Sequence, residues 1–200
     1  GVAFFGRALA VVDGPQKNGP FLQDDREYDV LFFGSSHMVN GVFPMVLWKD
    51  YGLTSYNLGG HGASIAASYW ELRLATQYHK PKVAVLDVLF AGSQVTEMEL
   101  GLTHELLDIY PLSRTKAEAV QDLFEESGTR AEMLFPLDVY HNRWKELDSG
   151  MVRRGLRGER AYSPEKGSQI RAGLYPLAQE PLVPETECRE ESSVALTYVE

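Results

Sequence analysis

Tyr28-Asp-Val-Leu-Phe-Phe-Gly34 is the stretch that decides the fold class, because a dense apolar run stops abruptly at a glycine. Such a run is typical of a strand that is buried on both faces of a parallel sheet. Lys82-Val-Ala-Val-Leu-Asp-Val-Leu-Phe90 is apolar in the same way, and a shorter run, Leu53 to Leu58, lies between the two. These runs predict three parallel strands within a core that spans residues 28–92.

Both connections between the predicted strands have helical spacing. Apolar residues recur three and four positions apart from Met38 to Tyr51, and Gly52 follows as a C-terminal glycine. The same spacing runs from Ala63 to His79 and stops before Pro81. Strands that alternate with helices through short connections predict an α/β fold, namely a three-layer α/β/α sandwich around a parallel sheet.

The alternation stops beyond Phe90. Pro111 to Glu126 and Thr129 to Leu147 have helical spacing, which predicts a helical insertion over residues 108–148 after the third strand. Residues 149–191 are rich in Gly, Pro, Arg and Glu, so we expect an irregular excursion there. We interpret residues 1–200 as a single domain, and we expect the natural protein to continue beyond its C-terminal end.

Composition narrows the possible partners. The chain has 200 residues, 44% of them hydrophobic and 24% charged, which is ordinary for one globular domain. A net charge of -9 argues against nucleic acid as a partner. With one cysteine, Cys188, and no Cys/His cluster of zinc spacing, we expect neither a metal nor an organic cofactor. An apolar opening without Met suggests a removed N-terminal signal or membrane anchor, and the oligomeric state is not indicated.

The turn after the first strand, Gly34-Ser-Ser-His37, carries the first candidate chemistry. It places the Ser36 hydroxyl at the carboxyl end of a strand, where open α/β sheets bind their ligands. The backbone amide of Ser36 would lie at a helix N-terminus, which stabilises developing negative charge. Ser36 is therefore a candidate nucleophile. The alternative is that Ser35 and Ser36 only cap the helix.

A glycine-rich loop follows the second strand, in Asn57-Leu-Gly-Gly-His-Gly-Ala-Ser64. Glycines let backbone amides approach a ligand closely, so the Gly62 amide is a candidate oxyanion donor. Gly60 and His61 in the same loop are candidate substrate contacts. The alternative is a tight turn into a helix, with Ser64 as the cap.

As a pair, these two loops resemble blocks I and II of SGNH (GDSL-like) hydrolases, whose usual forms are Gly-Asp-Ser and Asn-x-x-x-x-Gly-x-Thr/Ser. The Gly-Ser-Ser variant resembles the extracytoplasmic branch that includes teichoic acid D-alanyl transfer proteins and O-acetyltransferase-like proteins of exopolysaccharide assembly. The resemblance covers residues 28–90 and implies a flavodoxin-like fold, Ser36 as nucleophile and Gly62 as main-chain oxyanion donor. It also implies an extracytoplasmic esterase or acyltransferase that acts on an acylated glycan or another cell-envelope ester.

Two departures from that pattern leave a second interpretation open. The third block, Gly-x-Asn-Asp, has no counterpart in Val85-Leu-Asp-Val-Leu-Phe-Ala-Gly92, and a lost oxyanion donor costs about 10²-fold or more in rate. Asp138-Val-Tyr-His141 fits the letters of the fourth block, Asp-x-x-His, but falls within the predicted insertion. We therefore expect the general base beyond Glu200 and expect the 200-residue chain alone to be nearly inert. The alternative function is a non-catalytic SGNH-like module that binds a glycan or a protein partner.

Three histidines are candidate substrate contacts. His37 follows the nucleophile directly and points about 100° around the helix from it, which makes it a poor base. His61 either contacts substrate or is a solvated loop residue. His141 shares a helix face with Trp144, as a sugar-facing patch or as an ordinary packed surface.

Three further polar residues complete the prediction. Asp87, near the end of the third predicted strand, needs a backbone amide or a cation as its partner, because a buried carboxylate is costly without one. His79 and His104 have no distinctive context, and we expect both at the surface.

Overall fold

The computed structural model describes residues 18–91, 100–135, 163–169 and 198. These residues form a mixed α/β fold around a small parallel sheet. Its strands are β1 (Val30–Phe33), β2 (Ser55–Asn57) and β3 (Val83–Leu86), and they lie in the order β2-β1-β3. The predicted parallel sheet is confirmed, and β1 is its central strand.

The register of the sheet brings the carboxyl ends of the three strands to one edge. Phe32 of β1 pairs with Asn57 of β2 on one side and with Val85 of β3 on the other. Each strand is shorter than predicted. β3 ends early because the chain turns at Asp87, whose side chain accepts a hydrogen bond from the Leu89 amide at 2.9 Å.

Helices lie before, between and after the strands. In chain order they are α1 (Asn18–Gln23), α2 (Ser36–Gly41), α3 (Pro44–Tyr51), α4 (Ile65–Ala75), α5 (Leu100–Leu107), α6 (Arg114–Leu123) and α7 (Ser127–Leu134). None of these helices combines the length and the apolar composition needed to cross a bilayer.

The prediction of one helix from Met38 to Tyr51 is wrong, because two helices share that stretch. Pro44 begins α3, and Phe43 before it is extended, with φ -112° and ψ 99°. Proline disfavours helical backbone in the preceding residue, so the apolar spacing continues while the helix does not. Gly52 ends α3 with φ 68°, as the C-terminal glycine predicts.

The helices beyond β3 agree only in part with the prediction. α6 and α7 lie where helical spacing was found, although both are shorter than predicted. α5 was not predicted. The predicted helix continues into residues 136–147, which lie outside the described residues, as do 149–162 and 170–191 of the predicted excursion.

Within the described residues, the core contains two clusters of buried side chains. One lies against the sheet and contains Phe21, Tyr28, Leu31, Phe33, Tyr56, Leu58 and Ala75. The other joins α4 to the helices after β3 and contains Ala66, Ala67, Leu74, Leu106, Leu107, Tyr110, Val120, Leu123, Phe124 and Met133. α4 contributes to both clusters and so connects the sheet to the later helices.

A short turn, residues 163–169, packs against β2. The Lys166 carbonyl accepts a hydrogen bond from the Asn57 amide at 2.8 Å. Gly167 has a φ of 89°, and a Cβ at that position would lie 1.9 Å from the Asn57 carbonyl oxygen. Only glycine fits this contact.

We predict that Gly167→Ala destabilises the protein. A side chain in left-handed backbone costs about 1–2 kcal/mol, and the clash with Asn57 adds to that cost. Urea unfolding measures the difference in free energy. Gly128→Ala is the matched control, because a Cβ at Gly128 in α7 meets nothing within 4 Å. A helical Gly→Ala change is neutral or stabilising, so equal effects of the two substitutions would contradict the packing described here.

Candidate functional site

Ser36 is the first residue of α2 and follows the end of β1 by three positions. Ser35, not Ser36, caps the helix, since its hydroxyl oxygen accepts a hydrogen bond from the His37 amide at 3.3 Å. Ser36 is half-buried, and its carbonyl accepts from the Asn40 side chain at 2.9 Å. Among the described residues no hydrogen bond is made to the Ser36 hydroxyl, so this hydroxyl is available to react with a substrate.

Asp87 anchors the Ser36 turn from the β3 side. Its carboxylate accepts hydrogen bonds from the Ser35 hydroxyl at 2.6 Å and from the Ser35 amide at 3.4 Å. Its other oxygen accepts from the Leu89 amide. The expectation of a backbone-amide partner for Asp87 is confirmed. Gly34 allows the close approach, because a Cβ there would lie 2.3 Å from the Asp87 Cβ.

These hydrogen bonds keep Asp87 ionised. Burial alone would raise its pKa, but the bonds from the Ser35 hydroxyl and from the Leu89 and Ser35 amides outweigh burial, and His37 adds a favourable charge. The pKa of Asp87 is therefore below the ordinary value of 3.8. An ionised carboxylate only accepts hydrogen bonds. Asp87 thus cannot replace the oxyanion donor that the third block of the SGNH pattern supplies.

The glycine-rich loop after β2 is joined directly to the Ser36 turn. The Gly60 amide donates a hydrogen bond to the Gly34 carbonyl at 2.8 Å, so the two loops are in contact. That bond occupies the Gly60 amide, and Gly60 as a substrate contact stays a prediction. Gly62 has a φ of 64° and is exposed. Among the described residues no acceptor is bonded to its amide, and a common oxyanion site with Ser36 stays a prediction.

Asn57 fixes the relative position of α2 and the glycine-rich loop. Its side-chain amide donates to the Met38 carbonyl at 2.6 Å and to the Val42 carbonyl at 2.9 Å. Its side-chain oxygen accepts from the Gly59 amide at 3.0 Å. Asn57 is fully buried. Its side chain therefore links α2 to the glycine-rich loop from inside the protein. The candidate oxyanion donors are still backbone amides.

α5 and α4 support the same loop from the other side. Ideal Cβ atoms at Gly60 and Gly62 would each lie 3.0 Å from a leucine methyl group of α5, on Leu106 and Leu102 respectively. Ser64 caps α4 by accepting from the Ala67 amide at 3.1 Å, so the capping role considered for Ser64 is confirmed. The glycine-rich loop is thus a strand-to-helix turn that packs against α5 and ends at the capped start of α4.

The predicted histidine contacts have different surroundings. His61 is half-buried, and its Nε2 atom lies 3.0 Å from Oε1 of Gln169. His37 is exposed, in the first turn of α2, and its charge acts on Asp87. His141 lies outside the described residues.

The expectation that His79 and His104 lie at the surface is wrong. His79 is 4% exposed, packs against the Phe21 ring and hydrogen-bonds the Phe21 carbonyl through Nε2 at 2.8 Å. His104 is buried, and its Nδ1 lies 2.9 Å from Asp108. Each ring has one nitrogen bonded to a partner inside the protein, which lowers the cost of its burial. The other ring nitrogen of His104, Nε2, lies 3.8 Å from Glu132 and makes no hydrogen bond among the described residues.

Sequence reasoning missed two polar contacts of the site. Ser35 and Asp87 are 52 positions apart, and His61 and Gln169 are 108 positions apart. Periodicity and loop motifs describe neighbours in the chain, so neither contact leaves a local signal. The sequence indicated that Asp87 needs a partner, but it did not indicate which residue that partner is.

Comparison of the chain with models of protein families, with curated proteins and with solved structures finds no match. Within the described part of the chain, no group of three or more His, Cys, Asp or Glu side chains is placed to hold a metal ion. The arrangement of Ser36, Asp87 and the glycine-rich loop is therefore the feature on which a functional proposal rests.

We predict that Asp87→Asn destabilises the protein at neutral pH. An amide offers one acceptor oxygen where the carboxylate offers two, so its NH₂ group would face one of the donors now bound. A buried donor left unsatisfied costs about 1–3 kcal/mol. Because the pKa of Asp87 is lowered on folding, its contribution is present above pH 3.8 and is lost as the pH falls through the folded value.

Urea unfolding of both proteins at pH 7 and at acidic pH measures this difference. We expect the gap between wild type and Asp87→Asn to narrow in acid. Asp50→Asn is the control, because Asp50 is exposed on α3 and should change stability by no more than about 0.5 kcal/mol at either pH. A gap that is absent at pH 7, or that widens in acid, would show that the Asp87 contacts do not stabilise the fold.

Proposed function

We propose that this chain carries the nucleophile of an SGNH-type serine esterase or acyltransferase. Its substrate is an acylated glycan or another cell-envelope ester, and the protein acts outside the cytoplasm. The proposal includes the flavodoxin-like three-layer sandwich, of which the parallel α/β sheet is the part observed. The observation that carries it is the Gly60–Gly34 hydrogen bond of 2.8 Å, because it holds the glycine-rich loop against the Ser36 turn.

The proposed reaction has two steps. The Ser36 oxygen attacks the acyl carbonyl carbon and gives its proton to a general base, and the amides of Ser36 and Gly62 stabilise the oxyanion. The leaving alkoxide takes up the proton as its bond to the acyl carbon breaks. Water or an acceptor hydroxyl then gives a proton to the base and attacks the acyl carbon. The bond from that carbon to the Ser36 oxygen breaks, the acid or a new ester is released, and the base returns the proton to Ser36.

The general base is the component that the described residues do not supply. Asp87 is bound to Ser35, no described residue is bonded to the Ser36 hydroxyl, and His37 follows Ser36 in α2, about 100° around the helix. In the proposed mechanism a histidine and its acidic partner, both outside the described residues, supply the base. Without a positioned base a serine hydroxyl is a weak nucleophile near neutral pH.

One observation favours the second candidate function, a non-catalytic module that binds a glycan or a protein partner. Asp87, which follows β3 and is bonded to Ser35, is ionised, whereas an SGNH hydrolase would use a neutral donor after that strand. A fixed negative charge there destabilises an oxyanion, but it does not impair a protein that binds a ligand without reacting with it. The two candidates therefore differ in whether Ser36 reacts.

We predict that Ser36→Ala abolishes ester hydrolysis and leaves the fold intact, since the hydroxyl supports no contact among the described residues. The assay measures turnover of p-nitrophenyl acetate by the protein at its natural length, so that any Asp-x-x-His beyond Glu200 is present. Removal of a catalytic serine lowers the rate by about 10⁴-fold or more. Thermal unfolding checks that the variant is folded.

Ser35→Ala is the matched control on the same turn. It removes the cap of α2 and the hydrogen bond to Asp87, so we expect reduced stability with turnover retained. Wild-type turnover by Ser36→Ala would eliminate Ser36 as the nucleophile. A wild-type protein that is inert toward acetyl, D-alanyl and longer acyl esters would favour the binding module.

A further inference from the structure

Gln169 connects the 163–169 turn to both loops of the candidate site. Its backbone amide donates to the Val39 carbonyl of α2 at 2.9 Å. Its side-chain oxygen lies 3.0 Å from Nε2 of His61 in the glycine-rich loop. One residue distant in sequence therefore contacts the helix that starts at Ser36 and the loop that contains Gly62.

The turn that presents Gln169 is held at several independent points. The Lys166 carbonyl is bonded to the Asn57 amide, and Gly167 packs against the Asn57 carbonyl. The Lys166 ammonium group lies 3.0 Å from the Asp24 carboxylate, and its side chain is only 17% exposed. The backbone of the turn is thus anchored on β2 and α2, and the Lys166 side chain adds a third anchor on Asp24.

The hydrogen bond from His61 determines which ring nitrogen carries the proton. A carboxamide oxygen only accepts hydrogen bonds, so Nε2 of His61 must be the donor to Gln169. A neutral imidazole has a single N–H, and Nδ1 is then left with a lone pair. Among the described residues no donor is bonded to Nδ1. His61 is half-buried, so this acceptor is within reach of a bound molecule.

We propose that Gln169 is a positioning residue that holds His61 as its Nε2–H tautomer, so that Nδ1 accepts a hydrogen bond from a sugar hydroxyl of the ester substrate. This inference rests on the proposed function and specifies how its substrate is recognised. An ester group has no hydrogen-bond donor, whereas a sugar ring carries several hydroxyls. The site then distinguishes sugar esters from simple alkyl or aryl esters.

The tautomer is measured by nitrogen NMR on protein labelled with ¹⁵N-histidine, with the His61 signals assigned by their loss in His61→Asn. We expect Nε2 of His61 to be protonated and Nδ1 unprotonated at neutral pH. In Gln169→Leu both signals should move toward the average of the two tautomers. A protonated Nδ1, or averaged signals in the wild type, would overturn the proposal.

Substrate recognition is measured in the Ser36→Ala background, where binding is followed without turnover. We expect 6-O-acetylglucose to shift the Nδ1 signal of His61, and p-nitrophenyl acetate, which has no hydroxyl, to leave it in place. Loss of one hydrogen bond corresponds to a dissociation constant raised by about 5- to 10-fold in Gln169→Leu. Gln77→Leu is the matched control, because the Gln77 side chain bonds Thr115 on the exposed surface, and it should bind as the parent does.

The outcomes separate this inference from the proposed function. If the sugar ester fails to shift Nδ1, or if Gln169→Leu binds it as tightly as the Gln77→Leu control, the recognition role is wrong even in an active esterase. If the shift and the loss of affinity are both found but the wild type hydrolyses no ester, His61 and Gln169 belong to a sugar-binding module. The esterase proposal would then fail while this inference stands.

Discussion

The hydrogen bond from the Gly60 amide to the Gly34 carbonyl, 2.8 Å long, is the contact on which the candidate site depends. Parallel strands bring their carboxyl ends to one edge of a sheet, but only a direct bond fixes two loops against each other. Two glycines at or beside this contact leave no room for a side chain. A Cβ at Gly34 would meet Asp87, and one at Gly59 would lie 2.8 Å from the Cβ of Met38.

Three polar side chains extend this contact into a rigid frame. Asp87 holds the Ser36 turn from β3, and Asn57 ties the end of α2 to the start of the glycine-rich loop. Gln169 adds a third connection, from the 163–169 turn to His61. The Ser36 hydroxyl and the Gly62 amide have no hydrogen-bond partner among the described residues. A preorganised site needs reactive and donor groups that are unbonded and are held in place by the surrounding structure.

The charge of Asp87 has two consequences. It stabilises the turn, because three donors converge on one carboxylate. It also places a negative charge beside the Ser36 turn, which would be unfavourable for the oxyanion of the proposed ester hydrolysis. An enzyme built on this frame must offset that charge with donors from outside the described residues or with a positively charged part of its substrate.

The central sheet was predictable from sequence, because a strand buried between neighbours leaves a continuous apolar run such as Val30 to Phe33. Local chemistry also located Ser36 and Gly62 at strand ends. The wrong predictions concern a helical stretch that a proline divides and two histidines that are buried. Pro44 divides a stretch with unbroken helical spacing. His79 is buried against Phe21, 58 positions away, whereas His104 is bonded to Asp108 only four positions away, a spacing that the sequence does show. No rule of spacing connects His61 with Gln169, because 108 positions separate them.

The reactivity of Ser36 is tested most directly by trapping the acyl intermediate. The protein at its natural length is mixed with p-nitrophenyl acetate, quenched in acid within the first turnover, digested and examined by mass spectrometry. An acetyl group on Ser36, and not on Ser35 in the same peptide, is the expected result. A peptide without the acetyl group, from protein that releases p-nitrophenol under the same conditions, would contradict the assignment of Ser36 as the nucleophile.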